Sequence, residues 1–137
     1  LKRKDIKVEL NLNEKLPETL IDHKQIQQVL INLLTNAADA IKLQGKIIIS
    51  TYLEKAIRKN EGDYVVVSIT DTGEGIAPED LPKIFNPFFT RKVEGTGLGL
   101  PITQRIVYQH QGIIDVERVL GKGTTFYVKL PVPKKIN

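Results

Sequence analysis

The chain has 137 residues, a length that fits one domain built around a single hydrophobic core. It contains no cysteine, which excludes disulfides, thiolate metal sites and a cysteine nucleophile, and no apolar run approaches the roughly 20 residues of a membrane-spanning helix. The net charge of +4 comes from scattered lysines and arginines, which indicates a generally basic surface and no nucleic-acid-binding patch.

The first half of the chain predicts one long helix and three strands. Apolar residues alternate with polar ones over 6–12, which is typical of a half-buried strand. Between 22 and 43 they recur at every third or fourth position, which predicts an amphipathic helix that ends near Gly45. Segments 46–53 and 64–70 are rich in Ile, Val and Tyr and predict an antiparallel pair of strands.

The second half of the chain predicts two further helices, at 77–84 and 97–111, with a loop over 86–97 between them. Strands at 113–119 and 124–130 follow. The complete order of elements indicates a mixed sheet that is covered by helices on one face.

A stripe of polar side chains follows one side of the long predicted helix. At about 100° per residue, a narrow sector beside the apolar face contains Gln25, Asn32, Asn36 and Asp39. Surface amides or a buried polar contact would explain the stripe, although a solvated face usually carries Lys and Glu. An amide oxygen is also a neutral, hard ligand that suits Mg²⁺, so the functional interpretation is a cleft wall with Asn36 as the metal ligand.

The first glycine cluster follows a predicted strand. Asp71 lies where the 64–70 strand runs into a turn that contains Gly73 and Gly75. An Asp followed by Gly often only forms a turn. A carboxylate held at a strand end can instead accept a hydrogen bond from an exocyclic amine such as that of adenine, and these residues alone leave both interpretations open.

The second glycine cluster, Gly95, Gly97 and Gly99, leads directly into a predicted helix. Backbone amides in such a loop and the positive end of the helix dipole form a phosphate cradle. The loop lacks the Lys-Ser/Thr ending of the Walker loop and the early strand–helix position of a dinucleotide fold. Arg91 and Lys92 stand just before it, either as cations that reach phosphate oxygens or as solvated surface charges.

The third glycine cluster, Gly121 and Gly123, lies between the last two predicted strands. On its own it indicates a tight turn. The same turn would place the hydroxyl of Thr124 beside Asp71, where one ligand could meet both side chains.

In this order the motifs resemble those of the ATP-binding catalytic domain of sensor histidine kinases. That domain belongs to the GHKL superfamily, which also contains DNA gyrase, the ninety-kilodalton heat-shock chaperone and MutL. The resemblance covers nearly the whole chain, and five motifs in order are very specific. They are the N box at 32–37, the G1 box at 71–76, the F box at 84–90, the G2 box at 95–100 and the G3 box at 121–126.

The resemblance implies the Bergerat fold, a two-layer α/β (α+β) sandwich whose mixed, mostly antiparallel sheet carries about three helices on one face. It implies an ATP lid at about 85–97, Mg²⁺ bound by Asn36, and a lid lysine, Lys92, that approaches the nucleotide; these two are the catalytic candidates. The nucleotide-binding residues implied are Asn32, Asn36, Asp39, Asp71, Gly73, Gly75, Ile76, Lys92, Gly95, Thr96, Gly97, Leu98, Gly99, Leu100 and Thr124.

Two features depart from the family pattern. Many histidine kinases carry Lys or Arg three residues after the Mg²⁺-binding Asn, but this chain has Asp39, so Arg91 or Lys92 would have to supply that phosphate contact. Neither His23 nor His110 is followed by the Glu or Asp of a phosphoacceptor box. We therefore expect both histidines to be structural or surface residues and the acceptor histidine to lie outside these residues.

The function implied is transfer of the γ-phosphoryl group of Mg·ATP to a histidine on a separate dimerisation domain of the same protein, and from there to the receiver domain of a response regulator. Residues 1–137 would be a single catalytic domain, monomeric in isolation, from a longer homodimeric parent. We expect it to be cytoplasmic, with no direct membrane contact and no nucleic-acid partner, whether or not the inner membrane anchors the parent. The alternatives are an anti-sigma-type protein serine kinase and a non-catalytic ATP-sensing module.

Overall fold

The computed structural model describes residues 3–89, 98–119 and 121–134, and every structural statement below concerns those residues. They form five strands, two α-helices and one short 3-10 helix. In chain order these are β1 (Asp5–Asn11), α1 (His23–Ala40), β2 (Gln44–Glu54), β3 (Tyr64–Asp71), the 3-10 helix (Leu81–Lys83), α2 (Gly99–Gln109), β4 (Ile113–Val119) and β5 (Gly123–Pro131).

The strands form one mixed sheet with the order β1-β2-β3-β5-β4. Only β1 and β2 pair in parallel, and α1 is the crossover between them. The other neighbouring strands pair antiparallel, including the predicted β2–β3 pair. The predicted two-layer fold with a mixed, mostly antiparallel sheet is therefore confirmed.

Helix α1 covers the middle of the sheet. The side chain of Asp22 caps its first turn by accepting a hydrogen bond from the backbone N–H of Gln25 at 3.0 Å. Its buried face consists of Ile26, Val29, Leu33 and Ala37. The helix ends at Ala40 and not near 43 as predicted, because Ile41 has extended backbone and inserts its side chain into the core.

The predicted helix at 77–84 is only one 3-10 turn, Leu81–Lys83. Asp80 and Leu81 both donate backbone hydrogen bonds to the carbonyl of Ala77, which begins a turn. An α-helix would next need an N–H at Pro82 to reach the carbonyl of Pro78, and proline has none. The structure thus supplies two α-helices and this turn where the sequence predicted about three helices.

The face of the sheet away from the helices is polar and satisfied by its own side chains. The ammonium of Lys129 pairs with Glu54 at 3.1 Å and with Asp115 at 3.6 Å. The Tyr127 hydroxyl donates to Glu117 at 2.6 Å, and this bond raises the pKa of Tyr127 to about 12. The cluster that packs against the helices therefore lies on the helical face, and Val66 is buried on the outer face beside Lys129. No helix among the described residues is long and apolar enough to cross a membrane.

His110 joins the far end of α2 to the start of α1. Its Nε2 accepts a hydrogen bond from the backbone N–H of Asp22 at 3.0 Å, so this nitrogen is unprotonated. Its Nδ1 lies 2.8 Å from the carbonyl oxygen of Ile106, to which it donates in the neutral tautomer that remains. His110 is a structural residue as predicted, and His23 lies exposed on the first turn of α1.

We expect His110→Ala to lower the free energy of unfolding by about 1 kcal/mol, because it removes the hydrogen bonds that link α2 to the start of α1. The loss is modest because water can accept from the backbone N–H of Asp22 in place of the imidazole. Urea denaturation measures this change. His23→Ala is the matched control and should leave the midpoint unchanged. Equal stability of both variants would show that the His110 contacts contribute nothing.

Candidate functional site

Asp71 is the last residue of β3, and its carboxyl group is buried, with 5% of the residue exposed. The backbone N–H of Gly73 donates to its Oδ1 at 2.8 Å, and the backbone N–H of Thr124 donates to the same carboxyl group. An ionised carboxylate has about four acceptor positions. The two backbone donors leave capacity for a hydrogen-bond donor from a ligand.

Burial has the largest effect on the acidity of this group. It raises the pKa of Asp71 above the usual aspartate value, and the hydrogen bonds from Gly73 and Thr124 oppose that rise only in part. A buried carboxylate has lost hydrogen bonds from water, and a hydrogen-bond donor on a ligand would replace them. The environment therefore favours a ligand group that donates hydrogen bonds.

Two glycines allow the backbone to close around Asp71. A Cβ at Gly123, whose φ is +114°, would overlap the backbone carbonyl of Asp71. A Cβ at Gly73 would overlap the carbonyl of Ala40 at the end of α1. The start of β5 thus approaches Asp71 itself and the end of α1 approaches Gly73, and Gly75 follows with a φ of +79°.

The loop after Asp71 is held at both ends by hydrogen bonds. The hydroxyl of Thr72 accepts from the backbone N–H of Lys46 on β2 at 2.9 Å. The backbone N–H of Gly121 donates to the carbonyl of Glu74 at 3.2 Å. The first and third glycine clusters, far apart in sequence, are therefore joined directly, and Ile76 packs against the core just after them.

Thr124 lies directly opposite Asp71 in the β3–β5 pair, so both side chains are on the helical face, and both residues are 5% exposed. A cavity of about 260 Å³ at this end of the sheet borders both residues and is also lined from the outer face by Thr70, Glu117 and Thr125. The expected juxtaposition of Asp71 and Thr124 is thus present.

Asn32 connects α1 to the start of α2. Its Nδ2 donates to the carbonyl of Gly99 at 3.1 Å and to the hydroxyl of Thr103 at 3.2 Å. Its Oδ1 accepts from Gln28 at 2.7 Å. The amide of Asn32 therefore positions the end of the second glycine cluster, with Leu98 as the residue before the helix and Leu100 packed against the core.

Asn36 lies one helical turn after Asn32 and is half-buried, whereas Asp39 is exposed. The residues fit Mg²⁺ by their chemistry, because this ion takes oxygen ligands, keeps several waters and commonly completes its shell with substrate phosphates. One amide oxygen on α1, a helical turn after the residue that contacts Gly99, is the small protein contribution that such an ion needs. Asn36 as a metal ligand stays a prediction.

Several predicted site residues lie outside the part of the chain that the structure describes. They include most of the second glycine cluster and the two cations before it: Arg91, Lys92, Gly95, Thr96 and Gly97. Their assignments, and the lid at 85–97 beyond Phe89, therefore stay predictions.

Arg118 is a residue of this region that sequence reasoning missed. It lies on β4 directly opposite Thr124, in one row with Asp71. Its Nε is buried and has no hydrogen-bond acceptor among the described residues. Alternation along β4 is the signal that could have identified it, because Ile114 and Val116 face the core and the next residue in that phase is Arg118.

Comparison with known proteins agrees with this arrangement. The family model of the histidine kinase-, DNA gyrase B- and HSP90-like ATPases matches residues 21–134. The sensor histidine kinase ZraS of Salmonella typhi is 41% identical over 129 residues, which are 94% of this chain and 26% of that protein. Sporulation kinase E of Bacillus subtilis is 36% identical over 128 residues, which are 93% of this chain and 16% of that protein.

Solved structures give the same result. The catalytic domain of the histidine kinase ThkA, in a nucleotide-free form, superposes with a TM-score of 0.76 at 35% identity, over 93% of this chain and 79% of that one. Full-length ShkA in complex with AMPPNP superposes with a TM-score of 0.77 at 30% identity, over 96% of this chain and 27% of that one. The chain therefore belongs to the histidine kinase-, DNA gyrase B- and HSP90-like ATPase family, among the catalytic domains of sensor histidine kinases.

Proposed function

We propose that this chain binds Mg·ATP and transfers its γ-phosphoryl group to a histidine on a separate dimerisation domain of the same protein, from which the receiver domain of a response regulator takes it. Membership of the ATPase family supports nucleotide binding, and the relatives named as sensor histidine kinases support this direction of transfer. The chain spans only 26% and 16% of the two relatives compared, so the dimerisation domain, the homodimeric parent and the regulator are parts of the proposal.

The observation that carries the proposal is the buried Asp71 carboxylate opposite Thr124. Its remaining acceptor positions suit a donor such as the exocyclic amine of adenine, which replaces the hydration that burial removes. Guanine presents a carbonyl at the corresponding ring position. The site therefore favours adenine nucleotides.

The phosphates are assigned to the opposite part of the site, at the first turn of α2. The backbone amides of Gly99 and Leu100 belong to the helix N-terminus, where free N–H groups and the helix dipole favour an anion. Asn32 holds this turn against α1 through the carbonyl of Gly99, and Asn36 would hold the metal one turn further along. When bound, Mg²⁺ neutralises phosphate charge that develops during the transfer.

The transfer forms a bond from a nitrogen of the acceptor imidazole to the γ-phosphorus and breaks the bond from that phosphorus to the bridging oxygen, which leaves with ADP. Phosphoryl transfer of this kind depends mainly on positioning and charge neutralisation. This chain would supply the positioning. The group that takes the imidazole proton would lie beside the acceptor on the dimerisation domain, so the isolated chain should bind ATP but turn it over slowly.

Two further functions were open from sequence alone. A protein serine kinase is less well supported, because relatives that match 93% or more of the chain carry the name histidine kinase or sporulation kinase. A non-catalytic ATP-sensing module is less well supported because Asp71, Thr124 and Asn32 keep the contacts that a working site would need.

We expect Asp71→Asn to weaken ATP binding by roughly tenfold or more, because the amide nitrogen that replaces one carboxylate oxygen cannot accept from the adenine amine. Isothermal titration calorimetry measures the affinity. Asp115→Asn removes a carboxylate from the opposite face of the sheet and is the matched control. Unchanged ATP affinity in Asp71→Asn would remove Asp71 from the site.

The raised pKa of Asp71 also predicts that acid weakens ATP binding but increases the contribution of Asp71 to the stability of the fold. As pH falls through this pKa, ATP affinity should fall, because the protonated carboxyl loses acceptor capacity. The folded chain binds the proton more tightly than the unfolded chain, so the contribution of Asp71 to stability is present at low pH and is lost as pH rises through the folded pKa. Calorimetric titrations and urea denaturation of the wild type and Asp71→Asn across this range would contradict the assignment if both quantities changed in the same direction.

We expect Asn36→Ala to abolish phosphotransfer in the intact kinase and to remove the dependence of ATP binding on Mg²⁺ in this chain, because the variant loses the proposed metal ligand. Autophosphorylation with radiolabelled ATP and titrations with and without Mg²⁺ measure the two effects. Thr35→Ala, at the exposed neighbouring position of α1, is the control. Near-normal activity in Asn36→Ala would overturn the metal assignment.

A further inference from the structure

Three side chains from three neighbouring strands form one row at the end of the sheet that carries the proposed site. Asp71 on β3 is opposite Thr124 on β5, and Thr124 is opposite Arg118 on β4. Directly paired residues place their side chains on the same face. Neighbouring strands are about 4.8 Å apart, so the backbones of Arg118 and Asp71 are separated by roughly 10 Å, a distance that a long side chain and a small ligand can span together.

Arg118 extends from the helical face of β4 and not from the solvated one. Val116, two residues earlier, packs against the core, and Ile114 is part of it. Glu117 lies on the opposite face, where its carboxylate accepts a hydrogen bond from the hydroxyl of Tyr127. An arginine therefore occupies a position that the alternation of the strand reserves for apolar side chains.

The Nε–H of Arg118 has no acceptor among the residues that the structure describes. The atom is buried, and the described residues provide it with no hydrogen-bond partner. A buried donor left unsatisfied is destabilising, and native proteins rarely keep one without a reason. An acceptor on a bound ligand would satisfy it after a rotation of the side chain that exposes this atom.

Arg118 and Asp71 do not satisfy each other. The carboxyl group of Asp71 accepts hydrogen bonds from the backbone N–H groups of Gly73 and Thr124, and the Nε of Arg118 has no partner among the described residues. The cation and the carboxylate are thus independent groups in one row. Asp71 when ionised only accepts hydrogen bonds, and Arg118 only donates them.

We propose that Arg118 is a nucleotide-recognition residue whose Nε–H donates to an acceptor on the adenosine half of the bound nucleotide, while Asp71 accepts from the base. The inference rests on the proposed function, since it needs an adenine nucleotide beside Asp71. Purine ring nitrogens and ribose oxygens are the acceptors available there. Arg118 then adds a second polar contact on the nucleoside, across Thr124 from the first.

The test compares the affinities of the wild-type chain and Arg118→Met for ATP, ADP and AMP by calorimetry. Methionine keeps much of the length of the side chain and removes the donors and the charge. We expect all three nucleotides to bind about tenfold more weakly, because the lost contact is on their common nucleoside. Arg58→Met removes the same charge from the exposed connection between β2 and β3 at the far end of the sheet, and should bind as the wild type does.

Arg118→Lys separates the donor from the charge. It keeps a cation but has no donor at the Nε position, so we expect affinity to remain below that of the wild type. Wild-type affinity in Arg118→Lys would overturn the role of the Nε–H. A loss in Arg118→Met that grows from AMP to ATP would place the contact on phosphate and overturn the nucleoside assignment.

The stability of the ligand-free chain provides a second readout. Removing an unsatisfied buried donor should leave the urea midpoint of Arg118→Met equal to or above that of the wild type, while the rise in midpoint on adding ADP becomes smaller. A clearly lower midpoint without nucleotide would assign Arg118 a structural role and contradict the proposal. Unchanged nucleotide affinity in Arg118→Met would overturn the proposal alone, whereas a wild-type chain that binds none of the three nucleotides would contradict the proposed function and this contact together.

Discussion

The rest of the site depends on burying one carboxylate, that of Asp71, at the end of a central strand. Burial of an ionised group is unfavourable unless hydrogen bonds compensate for lost hydration, and here two backbone amides do so in part. Glycine at 123 lets the start of β5 pass against the backbone of Asp71, which brings the amide of Thr124 to the carboxyl group, while glycine at 73 makes room for the end of α1. One glycine in each of two clusters is therefore needed for the close packing around this carboxylate.

Helix α1 organises the remaining parts. Its end carries the carbonyl of Ala40 against Gly73, its middle carries Asn32 against the first turn of α2, and its start carries Asp22 against His110. The part of the site beside Asp71 and the part beside α2 thus both contact α1, which is packed into the core. Because α1 contacts both parts, it fixes their positions relative to each other.

The local patterns of the sequence predict most of the fold. The 3.6-residue period of α1 and the alternation of the strands place these elements to within a few residues, because both patterns are set by which residues face the core. The end of α1 was misplaced because Ile41 leaves the helix but stays buried, which preserves the apolar period. The helix expected at 77–84 is only a 3-10 turn, because Pro82 has no backbone N–H to continue an α-helix and the apolar spacing does not compensate for that.

The site was predictable where a motif is local and not where it depends on pairing. Asp71 and Thr124 were identified from glycine-rich turns, whereas the contact of Asn32 with Gly99 joins residues far apart in sequence and depends on how two helices pack. Arg118 was missed for the same reason, since its neighbours are set by the order and register of three strands. A glycine motif reports backbone geometry, but it does not report which side chain stands across the sheet.

For the proposed contact of Arg118 with the nucleotide, the register of the sheet is part of the recognition chemistry. A slip of β4 by one residue would turn Arg118 to solvent and bring Glu117 to the face that carries Asp71, which would place a second anion where a cation now stands. The pairing of Glu117 with Tyr127 and the bridge between Lys129 and Asp115 on the outer face oppose that slip. The salt-bridged surface that faces away from the site thus helps to determine the sign of the charge inside it.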